Sequence, residues 1–210
     1  ENVKMLNPES RIIIAANHRT FFDFFVTTWV NFDRTNLPRK IYFPVRSRFF
    51  YDNPIGVLIN FVMGGFAMFP PVFRAKEKKD FNRYAIDRIV FELDRAGVTI
   101  GFHPEGTRNK SPDPYNLLPG KSGIGEVILR AKQAQTVPVF IIGMGNRYIV
   151  ELFRNIFSPS SHPIHVRYGK PLKFSSNADD ATTVTNKVMQ AIANLASEHK
   201  QSVSQSKATQ

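Results

Sequence analysis

The segment RIIIAANHRTFFDFF, residues 11–25, joins a short apolar run to a group of polar side chains. Residues 12–16 form a continuous apolar stretch that ends in polar residues, and this pattern predicts a buried β-strand. The pattern of residues 20–32 predicts a helix. His18, Arg19 and Asp23 therefore lie in a region that is otherwise apolar, at the point where a strand leads into a helix.

Strands alternate with helices along the rest of the chain, whose 210 residues suffice for one substantial domain. This alternation predicts an α/β fold, a single domain with a mostly parallel central sheet flanked by helices. We expect that domain to span residues 1–200 and residues 201–210 to be a polar, disordered tail. Strands are predicted at residues 12–16, 41–45, 66–69, 98–102, 137–143 and 164–168, and helices at 20–32, 53–63, 79–96, 123–135 and 182–199.

The composition narrows the classes of partner. Lys and Arg together number 28 against 17 acidic residues, which gives a formal charge of +11. A strongly basic chain favours anionic partners: nucleic acid, phosphorylated metabolites or an acidic membrane surface. The chain has no cysteine, which excludes a disulfide scaffold, a thiolate metal site and a cysteine nucleophile.

Residues 53–73 (NPIGVLINFVMGGFAMFPPVF) contain no charged side chain. Their number is close to the roughly 20 residues that a membrane-spanning helix needs. However, Gly64 and Gly65 interrupt the segment and Pro70 and Pro71 end it, so the sequence favours a buried helix followed by a strand. The chain begins at Glu1, without a methionine, and we expect a further segment upstream.

His18 and Asp23 have the residue types of a general base and its orienting acid. A carboxylate that binds one imidazole nitrogen fixes the tautomer and leaves the other nitrogen free to accept a proton. A spacing of five requires His18 in the loop before the helix and Asp23 in its first turns. The structural alternative is that Asn17 caps the helix, His18 packs against the sheet and Asp23 complements the helix dipole. Spacing alone leaves both interpretations open.

A second polar cluster, FHPEGTRNKS (residues 102–111), follows another predicted strand. Gly106 allows the backbone to approach a ligand, Thr107 offers a hydroxyl, and Arg108 offers a planar fork suited to phosphate. The alternative is an ordinary turn in which proline and glycine have their usual roles. Because both clusters follow predicted strands, we expect them at the carboxyl edge of the sheet, where α/β proteins bind ligands.

Together the two clusters resemble the signature of the glycerolipid acyltransferase family, typified by 1-acylglycerol-3-phosphate acyltransferases and including the lysophospholipid acyltransferases. Asn17-His18 followed by Asp23 is similar to the family's Asn-His-x-x-x-x-Asp block. The PEGTR of residues 104–108 is similar to its Phe-Pro-Glu-Gly-Thr-Arg-Ser block. The resemblance extends over residues 12–195, with further similarity at Arg46, Asn53, Pro54, Gly56, Arg74, residues 137–139 (VPV) and residues 168–172 (YGKPL).

The resemblance implies a fold like that of glycerol-3-phosphate acyltransferase and an O-acyltransferase of lipid metabolism and phospholipid biosynthesis. A fatty acyl group would pass from acyl-CoA or acyl carrier protein to a hydroxyl of a lysophospholipid, such as lysophosphatidic acid, or of glycerol phosphate. The thioester is the co-substrate, and neither another cofactor nor a metal is implied. His18 would be the general base oriented by Asp23, and the implied substrate-binding residues are Arg46, Arg74, Glu105, Gly106, Thr107 and Arg108.

Some of these implications are less specific than others. Glu105 could bind a glycerol hydroxyl or anchor its loop, and the interval before Arg74 is wider than the family's. His103 replaces the family's Phe and Asn109 its final Ser, so the edge of the acceptor pocket is expected to differ. The positive charge and the aromatic residues predict attachment to an anionic membrane, on its cytoplasmic face.

Two other functions are compatible with part of the sequence. A basic nucleic-acid-binding domain would account for the charge and the aromatic residues, but not for the His and Asp pair or the PEGTR turn. We therefore expect no nucleic acid partner. A relative that binds lipid without catalysis would keep the motifs and lack turnover.

Overall fold

The computed structural model describes residues 6–65, 67–73, 79–145, 147–157, 161–174 and 180–208. The strands within these ranges are β1 (Arg11–Ala16), β2 (Lys40–Tyr42), β3 (Val45–Arg46), β4 (Pro71–Val72), β5 (Val98–Phe102), β6 (Gln135–Ile142) and β7 (His165–Tyr168). The helices are α1 (Asp23–Arg34), α2 (Ser47–Phe50), α3 (Pro54–Gly64), α4 (Lys79–Leu93), α5 (Gly123–Arg130), α6 (Tyr148–Phe157) and α7 (Ala181–Ala208).

Five strands form the central sheet, in the order β2-β5-β1-β6-β7. The pairings of β2 with β5, β5 with β1 and β1 with β6 are parallel, and β7 is antiparallel to β6. Strands β3 and β4 form a separate two-stranded sheet. The predicted α/β fold with a mostly parallel central sheet flanked by helices is therefore confirmed.

Strand β1 is apolar from Ile12 to Ala16 because both of its faces are covered there, as is usual in a parallel sheet. Ile13 and Ala15 belong to a core cluster shared with helices α4, α5 and α7. Ile12 and Ile14 face the opposite cluster, against which Val26 of α1 packs. Burial of this strand on both faces places it at the centre of the fold.

The register of the sheet determines where the two polar clusters leave it. Ala15 of β1 is the partner of Phe102, the last residue of β5, and Ala16 is the partner of Val139 of β6. Asn17 then anchors the end of β1: its side-chain Nδ2 donates to the carbonyl of Ile141, and its Oδ1 accepts from the amide of Ile141. The segments after β1 and β5 therefore emerge side by side at the carboxyl edge of the sheet.

Helix α3 is apolar but exposed, so the prediction of a buried helix at residues 53–63 is wrong in its burial. Asn53 caps the helix by accepting the amides of Ile55 and Gly56. The buried positions include Gly56 and Asn60, and a Cβ on Gly56 would lie 1.7 Å from the carbonyl oxygen of Phe49 in α2. The close approach to α2 at Gly56 leaves large apolar side chains of α3 exposed to solvent.

The structure also differs from the predicted elements after residue 65, at the end of the chain, in the additional helices α2 and α6, and in α5, which ends at Arg130. The strand predicted at residues 66–69 is wrong for 67–69, which lie outside any strand, while Phe66 lies outside the described residues. The short strand β4 instead begins at Pro71, where its pairing with β3 starts. In addition, the predicted disordered tail is helical as far as Ala208. No glycine or proline interrupts residues 181–208, and Ser204 and Ser206 donate hydroxyl hydrogen bonds to carbonyls four residues earlier.

No helix among the described residues is both long and apolar enough to cross a bilayer.

Candidate active site

His18 and Asp23 form a hydrogen-bonded pair at the carboxyl end of β1. The Nδ1 atom of His18 lies 2.9 Å from Oδ2 of Asp23. His18 belongs to the loop before α1, and Asp23 is the first residue of that helix, which is the arrangement that a spacing of five requires. A carboxylate oxygen accepts hydrogen bonds, so the ring proton belongs on Nδ1, and Nε2 is left as the atom that can accept a proton.

The Asp23 carboxylate also organises the backbone around the pair. Its Oδ2 atom accepts the amides of Arg19 and Thr20, at 2.7 and 2.9 Å, in addition to His18 Nδ1. Only 1% of the Asp23 side chain is exposed. The loop between β1 and α1 is therefore hydrogen-bonded to one buried carboxylate oxygen. The same oxygen fixes the Nδ1 edge of the His18 ring.

Burial shifts both members of the pair toward their neutral forms. Burial, together with the positive charge of Arg108, lowers the pKa of His18 to about 3. Burial raises the pKa of Asp23 to about 6, against the opposing effects of His103 and of the amides of Thr20 and Arg19. At neutral pH the pair therefore consists of a carboxylate and a neutral imidazole, which is the state that can accept a proton.

Glu105 connects the loop after β5 to the catalytic candidate. Its Oε1 atom accepts the amide of His18 at 3.0 Å and its Oε2 atom accepts the amide of Leu118 at 3.1 Å. The residue is 1% exposed, and burial raises the pKa of its carboxyl group despite these two hydrogen bonds. Of the two roles considered for Glu105, these contacts correspond to anchoring the loop.

Residues 106–108 present the polar groups of the turn beside His18. The amide of Gly106 donates to the carbonyl of His103, and its φ of 65° is readily adopted by glycine. Thr107 is exposed and Arg108 is partly buried. The amide of Asn109 donates to the carbonyl of His18 at 2.7 Å, so the segment that carries Arg108 is attached directly to the histidine backbone.

Of the two remaining predicted binding residues, Arg46 is not part of this cluster. Arg46 lies in β3 with an exposed side chain, and within the described ranges no hydrogen bond or ion pair joins it to His18, Asp23 or the loop after β5. Arg74 lies outside the described residues. The structure thus brings together His18, Asp23, Glu105, Gly106, Thr107 and Arg108, and it does not include Arg46 with them.

Two residues that the sequence interpretation did not include contact the site. Arg19 is buried, and its Nη1 atom donates to the carbonyl of Ser111 at 2.9 Å, which ties the two loops together. His103 places its imidazole against that of His18, with 4.1 Å between the ring centroids. The available signal for His103 was its position directly after β5, at the same sheet edge as His18.

His18, Asp23 and His103 bring three potential metal-ligand atoms within 4.8 Å of one another. The two imidazole planes, however, are parallel to within 8°. The lone pairs of ring nitrogens lie in the ring planes, so those of two stacked rings cannot both point at one ion about 2.0–2.1 Å away. The arrangement therefore suits proton transfer better than metal binding.

A family model described as Acyltransferase matches residues 1–142 of the chain. The match ends with β6, and it includes the His18–Asp23 pair and the whole loop after β5. It covers more than half of the 210 residues. No curated protein shows significant similarity to the chain.

We predict that the Asp23→Asn variant will keep the fold and lose most of its acyltransferase activity. The amide oxygen of Asn can accept the same backbone hydrogen bonds, but it carries no charge to stabilise a protonated His18. The expected fall in kcat is about 10² to 10⁴, the range of general base catalysis. The wild-type rate should also fall as the pH drops through about 6, where Asp23 gains a proton, and this inflection should be absent from the variant.

The free energies of unfolding of Asp23→Asn and the wild type distinguish a loss of catalysis from a loss of folding. The folded pKa of Asp23 lies above its unfolded value of 3.8, so the buried carboxylate opposes folding above about pH 6 and this cost disappears as the pH falls below it. The neutral Asn removes the cost, and the variant should be at least as stable as the wild type near neutral pH. An active variant, or an inflection that persists in it, would contradict the assignment of Asp23.

Proposed function

Because the chain belongs to the Acyltransferase family, we propose that this acyltransferase moves a fatty acyl group from a thioester to a hydroxyl of a lysophospholipid or glycerol phosphate. The donor is acyl-CoA or acyl carrier protein, and no other cofactor is needed. The observation that carries the proposal is the buried His18–Asp23 pair, held by hydrogen bonds to the same loop that carries Arg108.

In the proposed reaction His18 acts as a general base. Its Nε2 atom takes the proton of the acceptor hydroxyl while the hydroxyl oxygen attacks the thioester carbonyl carbon. The carbon–sulfur bond then breaks, and the imidazolium returns the proton to the departing thiolate. The Asp23 carboxylate stabilises the imidazolium between these steps. The acyl group passes directly from donor to acceptor, without a covalent bond to the protein.

Arg108 provides a reason for the acceptor to carry a phosphate. A guanidinium binds phosphate through paired, charge-assisted hydrogen bonds. In the absence of ligand, the charge of Arg108 lowers the pKa of His18 and makes it a weaker base. A bound phosphate offsets that charge and raises the basicity of His18. Acceptor binding would thus improve the base at the moment when it is needed.

We further propose that the protein acts while attached to an anionic membrane, at its cytoplasmic face. Helices α1, α2 and α3 expose large apolar side chains, and we call this group the apolar face. Trp29 is 71% exposed and Phe61 60% exposed. The apolar face also includes Phe32, Phe49, Ile55, Leu58 and Val62, which are all exposed.

The apolar face is connected to the candidate active site. Phe21, in the loop that begins at His18, has ring contacts with Phe25 of α1 and with Phe49 and Phe50 of α2. Large exposed apolar side chains on neighbouring helices indicate an interaction surface. A net charge of +11 favours an anionic bilayer as its partner, and acceptor lipids would then lie next to His18.

The function is tested by acyl transfer with purified protein. Acyl-CoA and acyl carrier protein thioesters are supplied with lysophosphatidic acid, other lysophospholipids or glycerol 3-phosphate, and acylated product is measured. We expect His18→Ala to lower kcat by about 10² to 10⁴. His165→Ala, which removes an exposed histidine from β7, is the matched control and should be active. Equal activity of the two variants, or lipid binding without turnover by the wild type, would refute the mechanism.

The role of Arg108 is tested by comparing acceptors with and without a phosphate. We expect Arg108→Ala to raise KM for lysophosphatidic acid about 10- to 100-fold, which corresponds to the loss of a charged hydrogen-bonding partner. KM for a monoacylglycerol should change little, because that acceptor offers the arginine no phosphate. Lys110→Ala removes an exposed cation two residues away and serves as the control. An equal rise for both acceptors would contradict phosphate recognition.

The apolar face is tested by flotation with lipid vesicles. Phe61→Ser should weaken binding to vesicles that contain phosphatidylglycerol by about tenfold, because a large apolar side chain no longer enters the bilayer. Phe91→Ser is the matched control: Phe91 is 54% exposed but lies on α4, on the other side of the sheet. The proposal fails if both variants bind vesicles as the wild type does, or if both are weakened equally.

A further inference from the structure

His103 lies flat against the proposed base. The ring centroids of His18 and His103 are 4.1 Å apart and their planes are 8° from parallel. His103 comes directly after β5, whereas His18 follows β1, so the contact joins the two segments that leave the sheet together. In the reaction proposed above, the proton is taken and returned by His18 alone, and His103 has no assigned part.

Two backbone carbonyls fix the His103 ring. Its Nδ1 atom lies 3.1 Å from the carbonyl oxygen of Ala16 and 3.2 Å from that of Asn17. Carbonyl oxygens only accept hydrogen bonds, so the proton of the neutral ring belongs on Nδ1. The Asn17 side chain is itself hydrogen-bonded to both backbone groups of Ile141. His103 is thus attached to a rigid part of the sheet edge, and its ring plane is determined there.

We infer that His103 is a positioning residue: its ring, held by the Ala16 and Asn17 carbonyls, is the wall that keeps the His18 imidazole oriented with Nδ1 toward Asp23. The Asp23 contact alone restrains one edge of the ring and leaves rotation about the line of that hydrogen bond. Contact with a flat ring over the whole face removes this freedom. Preorganisation of this kind affects catalysis when the base must meet a hydroxyl at hydrogen-bond distance.

The charge state of His103 is compatible with this role. Burial and the neighbouring His18 lower its pKa to about 4, against the opposing effects of Asp23 and of the two carbonyls. His103 is therefore neutral near neutral pH. When His18 takes a proton, the imidazolium rests on a neutral aromatic face, which attracts a cation. A phenylalanine would offer a similar face, but it has no donor for the two carbonyls.

The inference rests on the proposed function of His18 and is tested by two variants with two measurements. His103→Ala removes both the wall and the donor, while His103→Phe keeps a flat ring and removes the donor. We expect His103→Ala to lower kcat by about tenfold or more, at nearly unchanged KM for both substrates, because the base is less well oriented but binding is unaffected. His103→Phe should lie between His103→Ala and the wild type.

The second measurement reads the His18 ring directly. The chain has five histidines, so ¹⁵N NMR signals of labelled histidine can be assigned by single substitution. Near neutral pH we expect His18 in the wild type to show one tautomer, protonated at Nδ1. In His103→Ala we expect a mixture of tautomers or exchange broadening. His165→Ala serves as the control, and its His18 signals should match the wild type.

The outcomes distinguish positioning from simple folding and from failure of the proposed reaction. If the His18 NMR signals of folded His103→Ala match those of the wild type, the inference is overturned. This holds if kcat is unchanged, and also if kcat falls only in proportion to the folded fraction measured by circular dichroism. Altered signals with a lower kcat support it. If the wild type transfers no acyl group, the proposed function fails, and the NMR measurement still decides whether His103 orients His18.

Discussion

The buried carboxylate of Asp23 is the constraint on which the geometry of the candidate active site depends. One of its oxygens accepts two backbone amides and the His18 ring nitrogen, and the side chain is almost fully removed from solvent. An ionised group in such a place is costly unless it is hydrogen-bonded. The loop between β1 and α1 supplies those hydrogen bonds, and they leave Nε2 of His18 as the ring nitrogen that can accept a proton.

The sheet supplies the rest of the site through register. The central strand β1 and its neighbour β5 end side by side, so the loops after them meet. Glu105 and Asn109 then bind the backbone of His18 from both sides, at its amide and at its carbonyl. Arg108 lies between these two attachments along the chain, which explains how its charge reaches the histidine. Two short motifs eighty residues apart thereby become one cluster.

The sequence was sufficient to predict the fold class and the proximity of the two motifs. Apolar runs identify buried strands, and the carboxyl ends of those strands identify the edge of the sheet where the site lies. It was insufficient where a contact depends on the path of the chain in space. The stacking of His103 on His18 follows from sheet register, which residue types alone do not determine. The exposure of α3 was missed for a similar reason: an uncharged helix can be apolar because it is buried or because it faces a lipid surface.

Local patterns also failed where they lacked a clear signal. Helix α6 was not predicted, and α7 extends beyond residue 200, where serine hydroxyls donate to helix carbonyls and do not end the helix. The apolar side chains spaced three or four residues apart end near Leu195. The sequence pattern therefore gave no evidence for the last turns of α7. Such errors leave the site unaffected, because its residues belong to loops that are fixed by β1, β5 and α1.

In the proposed mechanism His18 acts as a base on the acceptor, and not as a nucleophile that carries the acyl group. Intact-mass spectrometry of the protein during turnover tests this most directly, with acylated lipid measured in the same samples. If His18 is a base, acylated acceptor accumulates while the mass of the protein stays unchanged at every time point. An acyl adduct on His18 that forms and decays with turnover, or a complete absence of acylated product, would contradict it.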